Sequence, residues 1–126
     1  MSQPCVLIVQ NDPATSLLLA VSIARSGGRP AGLFYTVAEA SNWLNEDSPD
    51  AAVLDIELRD GSVLPIAHQC RVRQVPILLC ASRAQVDQLP PQFRDAAFVE
   101  KPIQFEAILM ILPTLIRGRQ VSVVGA

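Results

Sequence analysis

The fold is decided by the stretch Ala51-Ala52-Val53-Leu54-Asp55-Ile56-Glu57-Leu58-Arg59-Asp60-Gly61-Ser62. Its apolar start is short and bounded, which predicts a buried strand rather than a helix. Asp60-Gly61 is typical of a turn, and Ser62 is expected to cap the next helix. Asp55 then lies where a strand's carboxyl end meets a loop, the edge at which open α/β sheets bind ligands. A carboxylate there can be a nucleophile or a metal ligand, but a loop aspartate can also simply hydrogen-bond its own turn.

The composition indicates one cytoplasmic domain. The 126 residues fit a single core, and half of them are hydrophobic with few aromatics, as in α/β domains. The net charge of −2 and the lack of any basic run argue against nucleic-acid binding. The three cysteines are dispersed and indicate reduced thiols. We expect neither a signal peptide nor a membrane span, because no apolar stretch is long enough to cross a bilayer.

Five strand-helix units follow one another along the chain. The predicted strands are 5–9, 31–35, 51–55, 75–80 and 96–99. Because crossovers within one parallel sheet are right-handed, we predict a doubly wound, flavodoxin-like five-stranded sheet in the order 2-1-3-4-5. The expected domain is 1–118, and 119–126 are expected to form a flexible tail.

Three local expectations concern the helices and one turn. The first helix should run from Pro13 to about residue 26, with Leu17, Leu18, Val21 and Ile23 covering the sheet. The last helix should run from about 104 to 117, with Pro113 kinking it. The peptide bond between Lys101 and Pro102 is expected to be cis.

Polar side chains follow four of the predicted strands. Since the carboxyl ends of parallel strands meet at one edge, they should converge in one crevice. These residues are Gln10, Asn11, Asp55, Cys80 and Lys101.

On these residues the chain resembles the receiver domain of bacterial two-component response regulators, over residues 5 to about 117. The resemblance is carried by the run from Leu54 to Ser62 and by Lys101-Pro102. Arg94-Asp95 before the last strand is similar to the stand-alone receivers of alphaproteobacteria. The resemblance implies that Asp55 accepts a phosphoryl group and that Lys101 binds its oxygens. It further implies that Phe98 is the aromatic switch residue.

Three residues, at two places in the pattern, depart from the family. Gln10 and Asn11 stand where the family has an acidic pair that holds magnesium, and Cys80 stands at the switch position where it has threonine or serine. Magnesium prefers carboxylate ligands, so we predict a weak Mg²⁺ site made of Asp55, the backbone carbonyl of Glu57 and, weakly, Asn11. A thiol is also a weak hydrogen-bond donor.

Three functions are considered for a chain with these residues. The first is a non-enzymatic phosphoacceptor in a phosphorelay, and the alternative is a pseudo-receiver that acts as a phosphorylation-independent interaction module. A flavodoxin-like or nucleotide-binding enzyme is disfavoured because the loop after strand one contains no glycine. The resemblance implies a histidine kinase or phosphotransfer protein as donor. We expect output by contact with a downstream protein, because no output domain follows residue 126, and a homodimer contact through the fourth helix, fifth strand and fifth helix.

Overall fold

The computed structural model describes residues 3–125 of the backbone and the side chains through residue 118. A five-stranded parallel sheet forms the centre. Its strands are β1 (Cys5–Val9), β2 (Arg29–Phe34), β3 (Ala51–Asp55), β6 (Ile77–Ala81) and β7 (Ala97–Glu100), whereas β4 (Glu57–Leu58) and β5 (Gly61–Ser62) form a separate hairpin. The spatial order in the sheet is β2-β1-β3-β6-β7. The predicted architecture is confirmed, because these five are the expected strands in the order 2-1-3-4-5.

Helices cover both faces of the sheet. Their bounds are α1 (Pro13–Arg25), α2 (Val37–Leu44), α3 (Leu64–Val72), α4 (Arg83–Asp87) and α5 (Phe105–Gly125), with a 3₁₀ turn at Pro91–Phe93. Three begin at side-chain caps in which the oxygen of Asp12, Thr36 or Ser82 accepts a backbone N–H of the first turn. The capping signals in the sequence therefore fix where these helices start.

The core consists of two layers, one on each face of the sheet. Alternate residues of β1 and β3 divide between them: Val9 and Leu54 pack on the α2–α3 side, whereas Ile8 and Val53 pack on the α1–α5 side. These strands are buried on both faces, which is why their sequences are continuously apolar. This packing holds the carboxyl ends of the strands in register.

A short antiparallel hairpin follows Asp55 and corrects one expectation. Its strands are β4 (Glu57–Leu58) and β5 (Gly61–Ser62). Ser62 pairs with Glu57 in this hairpin, and α3 begins two residues later without a side-chain cap at its first position. The expectation that Ser62 is the N-cap was therefore wrong, although its hydroxyl oxygen accepts the Leu64 N–H at 3.2 Å. Gly61 turns the hairpin with a φ of 136°, which favours glycine.

The ends of the last helix and the face of the first also differ from expectation. Helix α5 continues to Gly125, so its predicted end near residue 117 was wrong. The tail at 119–126 and the domain limit at 118 stay predictions, because the side chains there and all of residue 126 lie outside the described residues. On α1, Leu19 and Ile23 are buried, whereas Leu17, Leu18 and Val21 are 56%, 52% and 42% exposed. The latter three therefore do not cover the sheet.

Candidate functional site

Asp55 is a buried carboxylate at the carboxyl end of β3, only 4% exposed. Lys101 Nζ donates a hydrogen bond to its Oδ1 at 2.8 Å, and the Asn11 backbone N–H donates to its Oδ2 at 3.2 Å. A buried charge is tolerated only with such donors, and hydrogen bonds between charged groups are the stronger kind. Each oxygen of Asp55 thus has a donor, and the expected meeting of Asp55 and Lys101 is confirmed.

Lys101 reaches Asp55 from the turn that follows β7. The bond from Lys101 to Pro102 is cis, as predicted, and the Lys101 N–H donates to the Ala81 carbonyl at 2.9 Å. This backbone bond ties the turn to the end of β6. The Lys101 side chain is 39% exposed while that of Asp55 is 5% exposed, so the ammonium bridges solvent and the buried carboxylate.

Gln10 and Cys80 contact each other in the same region. Gln10 is 1% exposed and Cys80 is fully buried, and the Gln10 Nε2 donates to Cys80 Sγ at 3.6 Å. Burial raises the pKa of the Cys80 thiol to about 12, although the hydrogen bond from Gln10 acts in the opposite direction. Cys80 is therefore a protonated thiol with its sulfur engaged, and such a thiol is unreactive.

A cleft of about 380 Å³ opens over these groups. Its walls include Gln10, Asp12, Leu18, Asp55 and Lys101. The Asp12 carboxylate is engaged in capping α1, since it accepts the Thr15 hydroxyl at 2.7 Å and the Thr15 N–H at 3.0 Å. These two hydrogen bonds hold the pKa of Asp12 below its usual range. Asp55 therefore faces an open space. The other carboxylate in the wall, that of Asp12, already has hydrogen-bond partners in Thr15.

The described side chains do not fit a tight magnesium site. Within residues 3–118, no group of three His, Cys, Asp or Glu side chains is placed to hold a metal. The Asp55 carboxylate is neutralised by Lys101, and Glu57 lies in the hairpin, where it lines a separate small pocket. Asn11 contributes its backbone N–H, which is a donor to Asp55 and not a metal ligand. Hard divalent cations prefer several anionic oxygens, so this set predicts weak binding.

Phe98 lies in β7, is half-buried and packs against the core layer on the α2–α3 side of the sheet. The Arg83 guanidinium carbon lies 5.4 Å from the centre of its ring, and Arg83 Nε lies 3.0 Å from Glu100 Oε1. The ring thus lies under a cation that is itself paired. This contact between α4 and β7 was not predicted from the sequence, because the three residues show no common spacing.

The exposed leucines of α1 are a second feature that the sequence did not reveal. Leu18 lines the cleft beside Asp55, and Leu17 and Val21 continue the apolar surface away from it. Every residue from Leu17 to Val21 is apolar, so the sequence shows no helical periodicity that would identify which side of α1 faces solvent.

The parallel sheet, with helices on both faces and a buried aspartate paired with a lysine at its carboxyl edge, defines a small doubly wound α/β domain. The sequence matches no known family profile and no curated protein. Its structure is similar to SdrG from Sphingomonas melonis, at 28% identity and a TM-score of 0.76 over 92% of this chain and 99% of that one. It is also similar to a response regulator receiver protein from Sinorhizobium medicae, at 18% identity and a TM-score of 0.80 over 94% and 98% of the two chains. These structural relatives are response regulator receiver domains, which confirms the resemblance and the fold.

A third relative bears on the metal. The receiver domain of a sensor histidine kinase from Pseudomonas aeruginosa holds magnesium in its active-site cleft. It is 18% identical, with a TM-score of 0.73 over 91% of this chain and 98% of that one. Mg²⁺ is thus bound by that protein on the same fold, whereas for this chain the donor set around Asp55 predicts weak Mg²⁺ binding. Receiver domains are signalling modules of two-component systems rather than classic enzymes. No helix in the described residues is long and apolar enough to cross a membrane.

Proposed function

We propose that this chain is a single-domain phosphoacceptor in a phosphorelay and that it accepts the phosphoryl group on Asp55. The observation that carries the proposal is the 2.8 Å contact of Lys101 Nζ with Asp55 Oδ1 in a cleft at the carboxyl edge of the sheet. A buried carboxylate beside a fixed cation combines a nucleophile with a counter-charge for phosphoryl oxygens. The same ammonium can turn from the carboxylate to the transferred group.

The transfer is a simple displacement. An Asp55 oxygen forms a bond to phosphorus while the bond from phosphorus to the donor breaks, either a P–N bond of a phosphohistidine or a P–O bond of a small acyl phosphate. The leaving nitrogen or oxygen keeps the electron pair of the broken bond. Lys101 neutralises the charge on the phosphoryl oxygens, which is where phosphoryl transfer most needs stabilisation.

The donor would be a histidine kinase or a phosphotransfer protein that contacts α1. The three exposed side chains Leu17, Leu18 and Val21 form an apolar surface, and Leu18 borders the cleft itself. Contiguous exposed apolar surface is typical of a protein contact site. A protein seated there would hold its phosphorylated histidine above Asp55.

The output would pass through a second surface formed by α4, β7 and α5, to a downstream protein or a second copy of the chain. Met110 on α5 is 76% exposed, and on β7 the half-buried ring of Phe98 lies under the Arg83 guanidinium. In this proposal Phe98 and Cys80 are the switch positions. A change at Lys101 would reach β6 through the bond from its N–H to the Ala81 carbonyl, one residue beyond Cys80.

Intact mass after incubation with a small phosphodonor and magnesium tests the proposal. The wild-type chain should gain the mass of one phosphoryl group, and Asp55→Asn should gain none. Asp12→Asn is the matched control, because asparagine can still cap α1 and the change removes a carboxylate from the same cleft. It should still be phosphorylated. If the wild-type chain takes up nothing, the chain is instead a phosphorylation-independent interaction module.

Leu18→Glu tests the donor surface. Leu18 is 52% exposed, so the variant should fold. Transfer from phosphorylated histidine kinases should fall at least about tenfold, since a charge would be buried at the contact. Uptake from a small phosphodonor should be unchanged. An equal loss with both donors would place the effect in the cleft and remove α1 as the contact.

A further inference from the structure

The side chain of Gln10 crosses the strand that carries Asp55. In the sheet, β3 lies between β1 and β6. Adjacent strands are about 4.8 Å apart, so β1 and β6 are separated by roughly 10 Å. The Gln10 Nε2 nevertheless lies 3.6 Å from Cys80 Sγ at the end of β6. The amide must therefore span the end of β3.

Gln10, Asp55 and Cys80 also share one face of the sheet. Cys80 is the register partner of Asp55, and Gln10 follows Val9, the partner of Leu54. Register partners on parallel strands direct their side chains to the same face. The bridge from Gln10 to Cys80 therefore runs along the flank of the Asp55 side chain, on the α1–α5 side.

We propose that Gln10 is a positioning residue that keeps divalent cations from Asp55. Its bridge places a neutral, buried amide along the flank of the carboxylate and leaves Lys101 as the cation of the site. The inference deepens the proposed function and rests on it for the role of Asp55, but cation binding is measurable without any phosphoryl transfer.

This inference differs from a simple loss of charge. If only the number of carboxylates mattered, an added carboxylate at position 10 or at position 11 would have a similar effect. Asn11 is exposed and takes no part in the bridge, whereas Gln10 is 1% exposed. An aspartate at position 10 is one methylene shorter than glutamine, so it would remove the bridge as well as add a charge.

The test compares Gln10→Asp with Asn11→Asp, two variants of equal net charge. The dissociation constant for Mg²⁺ is measured by calorimetry and from the Mg²⁺-dependent rise in the thermal unfolding midpoint, which follows from binding to the folded state. We expect Gln10→Asp to bind Mg²⁺ at least about tenfold more tightly than Asn11→Asp, and Asn11→Asp to resemble the wild type. Equal affinities of the two variants would overturn the inference, as would wild-type binding as tight as that of Gln10→Asp.

A second comparison covers the case in which the buried charge of Gln10→Asp prevents folding. Gln10→Asn shortens the side chain without adding a charge, and it is introduced into the Asn11→Asp background. The combined variant should bind Mg²⁺ more tightly than Asn11→Asp alone, and equal binding would overturn the inference. Tight binding by a variant that takes up no phosphoryl group would leave the inference standing and sink the proposed function.

Discussion

Replacing Lys101 by methionine should destabilise the fold through Asp55. Methionine keeps the length of the side chain and removes the ammonium that lies 2.8 Å from Asp55 Oδ1. The carboxylate is 5% exposed and would retain one described donor, the Asn11 N–H at 3.2 Å. A buried charge that loses its partner carries the full cost of its desolvation.

The size of the expected loss in the free energy of unfolding depends on how deeply the Lys101–Asp55 pair is buried. Removing one partner of a fully buried pair costs about 3–5 kcal/mol, whereas exposed pairs contribute about 0.2–1 kcal/mol. Lys101 is 39% exposed, so the pair lies between these limits. We expect a loss of about 2 kcal/mol in the free energy of unfolding for Lys101→Met. Asp55→Asn should lower the free energy of unfolding by less, because the Lys101 ammonium that loses its partner is partly exposed and can be hydrated instead.

Urea unfolding of Lys101→Met, Asp55→Asn and the double variant measures the coupling. With a slope near 2 kcal/mol/M, the expected loss lowers the midpoint by about 1 M. Arg83→Met is the control, because it removes a cation from the 3.0 Å pair with Glu100, whose side chains are 64% and 50% exposed. That change should cost under about 1 kcal/mol. If Lys101→Met were no more destabilising than Arg83→Met, the reasoning about the buried carboxylate would be refuted.

Four further predictions follow from other parts of the molecule. The double variant Gln10→Asp/Asn11→Asp should tighten Mg²⁺ binding and speed phosphorylation of the acceptor, as followed by calorimetry and mass; unchanged values would contradict it. Hydrogen bonds from the backbone N–H groups of Val37 and Ala38 hold the pKa of Asp60 below its usual range. Its stabilising contribution is therefore complete above the pKa of an unfolded aspartate and is lost as pH falls through the lowered pKa. Replacing Asp60 by asparagine should therefore flatten the acid limb of a stability–pH curve; an identical limb would count against it. Burial raises the pKa of Cys80 to about 12, so iodoacetamide should leave it unmodified in the folded protein at neutral pH, as judged by peptide mass. Met110→Glu should weaken any self-association seen by sedimentation, and a monomer at all concentrations would remove the dimer proposal.

The sequence predicted the sheet because its physical signals are local and unambiguous. Continuous apolar runs such as Cys5–Val9 and Ala51–Asp55 fit strands buried on both faces. Their order followed from the handedness of crossovers, which needs no knowledge of side-chain contacts. Asp55 ends one of these strands and Lys101 follows another. Because the carboxyl ends of parallel strands share one edge of the sheet, the contact between the two residues could be predicted as well.

The differences arise where several signals compete. Ser62 has the residue type of a helix N-cap, but in the structure its backbone pairs with Glu57 in the hairpin, and α3 begins after it. Gly118 resembles a helix stop, yet α5 continues past it, because propensity is a weak prior that context overrides. On α1, consecutive leucines left the buried face undefined, and packing against the sheet selected Leu19.

The substitutions at positions 10 and 80 are best understood as one change, although the sequence presents them as two. A buried amide needs a partner, and the Cys80 sulfur provides one for Gln10 across β3. An acidic side chain at position 10 alone would lose that contact and place a second charge near Asp55. A hydroxyl oxygen at position 80 could still accept the Gln10 amide, because oxygen is a better acceptor than a thiol sulfur. The effects of changing the two residues should therefore be non-additive, as expected for residues in direct contact. The buried groups around Asp55 are therefore satisfied, with Gln10 bonded to Cys80 and with Lys101 as the cation of the site.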